Sequence, residues 1–157
     1  MDFIKSDPDF KKYRPNAGCV IVNQEGRILY CERADIPGAW QMPQGGIDQG
    51  EDPEKGALRE LFEETCIQDV TVLETYPDWL VYKYPNGELG KSGHIGQAQK
   101  WFLIKYNGDP DAINLDDAQD REFTTHLWAT PEYILQDVAD FRKPLYAECF
   151  RHFGLAK

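Results

Sequence analysis

The sequence predicts an α/β fold, a mixed β-sheet sandwiched with helices. Three observations predict it. Strand-like runs precede one clear amphipathic helix, strand-like composition returns after that helix, and two helical patterns opened by proline close the chain. At 157 residues the chain has the length of one domain, read here as residues 1–157, and can bury about two-thirds of its unfolded surface. No internal repeat, low-complexity tract or linker divides it.

Taken in order, "AGCVIVN" (17–23) is an apolar run and "RILYCER" (27–33) begins with alternation. "NQEG" between them has turn composition, so the pair reads as a β-hairpin. "IPGAWQMPQGG" is rich in proline and glycine and reads as an extended, turning approach to the next element. That element is a helix: Asp52 suits the N-cap, Pro53 the first helical position, and Glu54 the positive end of the helix. Ala57, Leu58, Leu61 and Phe62 supply an apolar stripe at helical spacing, and the helix should run to about Thr65. "DVTVLETY" and "WLVYKYP" then read as strands, "NGELGKSGHIGQAQ" as a loop, and "KWFLIKYNG" as a further strand. "THLWAT" (125–130) is a short strand, while "PEYILQDVADF" and "KPLYAECFRHFGL" carry helical apolar spacing.

Composition excludes several function classes. The net charge is −10, from 27 acidic and 17 basic residues, which argues against a long nucleic-acid track. A nucleotide phosphate can still be held if local arginines or divalent metal ions provide positive charge. No apolar run approaches the roughly 20 residues needed to cross a bilayer. The opening "MDFIKSDPDFKKYRPN" has no apolar h-region, so the expected location is cytoplasmic. Cys19, Cys31, Cys66 and Cys149 are scattered and read as buried or incidental thiols. His94, His126 and His152 form no zinc-binding grouping. "GELGKSG" contains a GKS triplet, but Pro85 stands where a P-loop needs its first glycine, so it reads as a turn.

The helix poses an electrostatic problem. Residues three and four apart share a helix face, so Glu60 neighbours both Glu63 and Glu64. Arg59, four residues before Glu63, can brace that acid but cannot neutralise all three. A hard divalent cation can, because it takes oxygen ligands from carboxylates, carbonyls and substrate phosphates. An acidic, solvated helix face is the plainer alternative.

The spacing around these acids decides between the two. Gly45, five residues, Glu51, seven residues, Arg59-Glu60-Leu61, one residue, Glu63-Glu64, and then Ile67 resembles the Nudix box, G-x5-E-x7-R-E-U-x-E-E-x-G-U, over residues 45–67. Eight of nine specified positions match; Cys66 stands where the box has glycine. That glycine ends the helix in a left-handed conformation, which a Cβ penalises by roughly 1–2 kcal/mol.

The resemblance implies the Nudix fold, an α/β/α sandwich with a mixed sheet, and hydrolysis of a pyrophosphate bond by metal-activated water. It implies Mg²⁺ (or Mn²⁺), more than one ion, held by Glu60, Glu63, Glu64, Glu122 and the Gly45 carbonyl. Glu60, Glu63 and Arg59 carry the catalytic roles, and the base is Glu60 or a glutamate outside the box. "YRPNAGCVIVN", "WQMPQGGI", "IGQAQKWF", "REFTTHLWAT" and "ADFRKPLY" are similar to the bacterial RNA pyrophosphohydrolase branch of the family. That branch removes pyrophosphate from 5′-triphosphorylated RNA, and its close relatives cleave diadenosine polyphosphates. Carried over, Arg14 and Arg33 contact 5′ phosphates, Gln44 and Lys100 line the phosphate pocket, and Phe141 stacks on a base beside Arg142 and Lys143. Plainer readings stand beside these: Arg14 as a surface charge, and Phe141 as a residue packing on the sheet. Trp40 and Trp101 read as core or pocket wall. Met42, where relatives often carry phenylalanine, and a lengthened "ADIPG" loop leave RNA and free nucleotide both open as substrates. Two alternatives to the RNA reading are a dinucleoside polyphosphate or (d)NTP hydrolase and a non-catalytic Nudix binding module.

Overall fold

Strand β2 (Tyr13–Val22) runs through the middle of the molecule, flanked on one side by a parallel partner and on the other by antiparallel ones. The computed structural model describes residues 4–5, 8–90 and 92–155. Around β2 the sheet contains β1 (Ile4–Lys5), β3 (Ile28–Arg33), β4 (Trp40–Gln41), β5 (Gln44–Gly46), β6 (Val70–Thr75), β7 (Leu80–Lys83), β8 (Gly96–Tyr106) and β9 (Phe123–Ala129). The main path is β1-β7-β8-β2-β3-β4, with β5 on β2, β6 on β8 and β9 on β3. Among the described residues only β2 and β8 pair in parallel, from Tyr13–Gly96 to Val22–Lys105. The sheet is therefore mixed, as expected from the sequence.

Helix α1 (Pro53–Thr65) covers one face; α2 (Pro131–Asp137) and α3 (Lys143–His152) cover the other. Alternation along β2 produces the two cores. Ala17, Cys19 and Ile21 pack with Ala57 and Leu61 of α1. Val20 packs with Trp101, Ile134, Leu145, Tyr146 and Phe150 on the opposite side. The result is an α/β/α sandwich. No helix among the described residues is long and apolar enough to cross a membrane.

The hairpin between β2 and β3 forms as the turn composition predicts: Asn23 Oδ1 accepts from the backbone N–H groups of Glu25 and Arg27, both at 3.0 Å. Asp52 caps α1 by accepting from Lys55 N–H at 3.2 Å. Cys66 ends it at φ 64°, the left-handed position predicted from the box. Its N–H donates to the Phe62 carbonyl at 2.8 Å.

Two expectations need correction. The apolar stripe of α1 is not the predicted one: its buried residues are Gly56, Ala57, Leu61, Glu64 and Thr65, while Phe62 is 40% exposed. Glu64, three residues after Leu61, takes a core-facing place on the helix. "IGQAQ" belongs largely to β8 and not to a loop, since pairing starts at Gly96. Polar Gln97 and Gln99 disguise the strand because their face is buried among other polar groups (below). The GKS turn holds no P-loop: Gly93 N–H bonds to Gly90 O at 2.9 Å, and a strand follows where a P-loop needs a helix. Lys91 lies outside the described residues. Cys19, Cys31 and Cys149 are buried, Cys66 is half-buried, and all four are free thiols.

Candidate active site

Arg59 organises the first part of the site. Its guanidinium grips Glu51 with two bonds, Nε to Oε2 at 2.8 Å and NH2 to Oε1 at 3.0 Å. NH2 also donates to the Gly46 carbonyl at 3.0 Å, while NH1 reaches Glu60 at 3.2 Å and Glu63 at 3.0 Å. One planar cation thus joins the glycine-rich strand β5 to the acidic face of α1. The hydrogen bonds from Arg59 hold the Glu51 pKa down to about 2. The sequence showed that Arg59 can brace Glu63; the clamp onto Glu51, a box residue with no assigned role, emerges only in three dimensions.

Gly45 is glycine for a steric reason. A Cβ there would collide with the Glu60 side chain, so the acid lies directly against the β5 backbone. Glu60 is half-buried, and loss of hydration raises its pKa, opposed by the Arg59 cation. Glu64 is 1% exposed, and neither of its carboxylate oxygens has a hydrogen-bond partner. Burial, then the charges of Glu122 and Glu60, push its pKa well up. Glu122 lies exposed at the rim, and its pKa is raised by lost hydration first, then by Glu60 and Asp120, with Arg33 opposing.

This donor set fits a hard divalent cation. All the side-chain donors are carboxylates, the buried Glu64 is otherwise orphaned, and a buried anion without a partner is costly. One carboxylate oxygen each from Glu60, Glu63 and Asp120 lies within 4.8 Å of the other two. Asp120 was not among the residues expected from the sequence. Its signal was faint: a third acid two positions before Glu122, in a stretch with other aspartates.

The expected substrate residues divide between two faces. Successive residues of β5 point opposite ways, Gly45 toward Glu60 and Gly46 toward Arg14, whose NH2 would stand 2.5 Å from a Cβ on Gly46. Gln44 shares the Gly46 face and enters a buried polar network. Its Oε1 accepts from Gln99 Nε2 at 3.0 Å and Arg142 NH1 at 3.2 Å, and its Nε2 donates to Gln97 Oε1 at 3.3 Å. Gln99 Nε2 also lies 3.0 Å from Asn16 Oδ1 and 2.9 Å from Gln97 Oε1, three acceptors for two hydrogens. Tyr82 O–H donates to Gln97 Oε1 at 2.9 Å, and Trp101 Nε1–H donates to Gln99 Oε1 at 3.0 Å. Asn16, Tyr82, Gln97 and Gln99 were not singled out from the sequence. Period-two glutamines in "GQAQ" were the available signal.

Phe141 sits beside this network, tilted against Tyr82 at 6.0 Å, with the Arg142 guanidinium 4.8 Å from its ring centre. Lys143 pairs with Asp140 at 2.9 Å. Arg33 pairs with Asp35 of the "ADIPG" loop at 2.7 Å and stands with the acids near Glu122, not with Phe141. Lys100 is in register with Ala17, and Ala17 with Gly45, so it projects on the α1 face. Its Nζ donates to the Pro77 carbonyl at 2.8 Å and lies 5.9 Å from the Trp79 ring. The structure therefore unites Gln44, Arg142 and Phe141, sets Arg14 on their face, and keeps Lys100 and Arg33 apart from them.

Residues 12–149 match the family model described as NUDIX domain. The chain belongs to the NUDIX family. It is 40% identical over 151 residues to Nudix hydrolase 25 of Arabidopsis thaliana, covering 90% of this chain and 86% of that one. It is 42% identical over 147 residues to an RNA pyrophosphohydrolase of Gluconobacter oxydans, covering 91% and 86%. Among solved structures, the Ap4A hydrolase of C. elegans superposes with a TM-score of 0.61 at 25% identity, covering 90% of this chain and 98% of that one. The architecture is the Nudix fold, and this NUDIX member is an enzyme, a pyrophosphohydrolase.

Proposed function

We propose that this protein, as a single NUDIX domain, is a Mg²⁺-dependent RNA 5′ pyrophosphohydrolase that removes pyrophosphate from 5′-triphosphorylated RNA in the cytoplasm. The observation that carries the reading is a juxtaposition across β5. Gly45 abuts the acids of α1, and the adjacent Gln44 holds Arg142 over Phe141. A 5′-nucleotide carries phosphates at one end and a base at the other, and the two residue groups, on opposite faces of one short strand, would meet these two ends. The relative named RNA pyrophosphohydrolase supports the substrate class.

Glu60, Glu63, Glu64, Glu122 and the Gly45 carbonyl would hold Mg²⁺, with Mn²⁺ as a substitute. When bound, the ions supply positive charge to the phosphates and acidify water. Arg59 fixes the directions of Glu60 and Glu63 through its anchor on Glu51 and Gly46. Glu60 or Glu122, whichever carboxylate is not engaged by an ion, would accept a proton from the attacking water. Arg14, Arg33, Gln44, Lys100 and Lys143 would receive phosphate or ribose, and Phe141 a base.

A second reading, hydrolysis of dinucleoside polyphosphates, is favoured by the likeness to the Ap4A hydrolase fold. Incubation with Mg²⁺ and a panel of triphosphorylated RNA, dinucleoside tetraphosphate and (d)NTPs separates the two. Pyrophosphate and 5′-monophosphorylated RNA formed with the highest kcat/KM support the RNA reading; higher kcat/KM on the dinucleotide replaces it with the second. No turnover of any of them, with nucleotide still bound, would mean a binding module.

A further inference from the structure

We infer that Asp120, a residue outside the box, is a ligand of the divalent-cation centre, sharing an ion with Glu60 and Glu63. The inference deepens the proposed function and rests on its metal reading. Oxygens from Asp120, Glu60 and Glu63 lie within 4.8 Å of one another. Oxygens around one Mg²⁺ at 2.0–2.1 Å stand about 3–4 Å apart, so small rotations would bring the three into a common shell.

The backbone fixes Asp120 in that place. Its N–H donates to the Glu63 carbonyl at 2.9 Å, and its carbonyl accepts from Glu122 N–H at 2.8 Å. The turn leading into β9 is thereby tied to the C-terminal part of α1, and both bonds are independent of the Asp120 side chain. Arg59 balances Glu60 and Glu63 from one side. Among the described residues, no basic side chain forms an ion pair with Asp120. An independent observation points to a cation here: Glu64, 1% exposed beside Glu60, has two carboxylate oxygens with no hydrogen-bond partner. Asp120 and Glu64 thus approach the Glu60 carboxylate from different elements, and a shared positive ion accounts for the packing of four acids, two of which Arg59 braces.

Mn²⁺ titration of the substrate-free protein, with free ion counted by electron paramagnetic resonance, tests the inference. Asp120→Asn and Asp120→Ala should each lose one bound Mn²⁺ or bind at least about 10-fold more weakly. Asp120→Glu should retain more binding than either. Melting in EDTA should show the folds intact, since the two backbone bonds remain. Glu64→Gln serves as the reference that impairs the centre. If Asp120→Asn and Asp120→Ala bind Mn²⁺ like wild type while Glu64→Gln does not, Asp120 is no ligand and the proposed function stands. If wild type itself binds no Mn²⁺, the metal reading falls and this inference with it.

Discussion

Glu64 is the residue on which the chemistry can be tested most directly. It occupies a core-facing helix position with no hydrogen-bond partner, where an apolar residue would pack better. Glu64→Gln should cut Mg²⁺-dependent turnover by on the order of 100-fold or more. The same variant, assayed without metal at pH 8, should melt at a higher temperature than metal-free wild type, because a buried carboxyl that must either stay ionised without a partner or take up a proton is removed. Undiminished activity, or a lower melting temperature, would refute the assignment. Phe141→Ala should raise KM by roughly 5- to 150-fold, the equivalent of about 1–3 kcal/mol of stacking, with a smaller effect on kcat. An unchanged KM would reject stacking and leave Phe141 as a packing residue against Tyr82.

At the scale of elements, the two ends of α1 make separate predictions. Near its start, Glu51 has a folded pKa of about 2, below the ordinary 4.5, because Arg59 bonds its ionised form. A lowered folded pKa contributes stability above pH 4.5 that is lost as pH falls toward 2. Unfolding measured from pH 7 down to 2 should therefore show a steeper loss in wild type than in Glu51→Gln; parallel curves would refute the clamp. At its end, Cys66 holds φ 64° with a Cβ present. Cys66→Gly should stabilise the protein by about 1 kcal/mol in chemical denaturation, as the left-handed penalty is relieved. A destabilised variant would mean that packing of the half-buried thiol outweighs that relief.

For the whole molecule, charge limits how much of an RNA the proposed reaction would engage. A chain of net charge −10 offers local cations near the site, such as Arg14, Arg33 and Arg142, and no basic track. Lengthening a triphosphorylated substrate from about 3 to about 20 nucleotides should change KM by less than about 3-fold, since few additional counterions are released. A KM that falls steeply with length would reveal a backbone-binding surface that the acidic composition argues against.

Much of this organisation was readable from local pattern. Asp52 and Pro53 at the start of α1, Cys66 at its end, and the hairpin at Asn23 depend on residues a few positions apart, so sequence carries them. The box spacing alone grouped Arg59 with Glu60, Glu63 and Glu64, because residues on one helix turn are neighbours whatever the tertiary fold. Tertiary structure decided the rest. Helix periodicity favoured Phe62 as core, yet the sheet buried Glu64 in its place. Gln97 and Gln99 hid a strand because their amides join a buried network that reaches Gln44, 53 and 55 residues away in sequence. Asp120 joined Glu60 and Glu63 through a backbone bond between the turn before β9 and α1. Such placements depend on which faces meet across the sheet, and no local spacing records that.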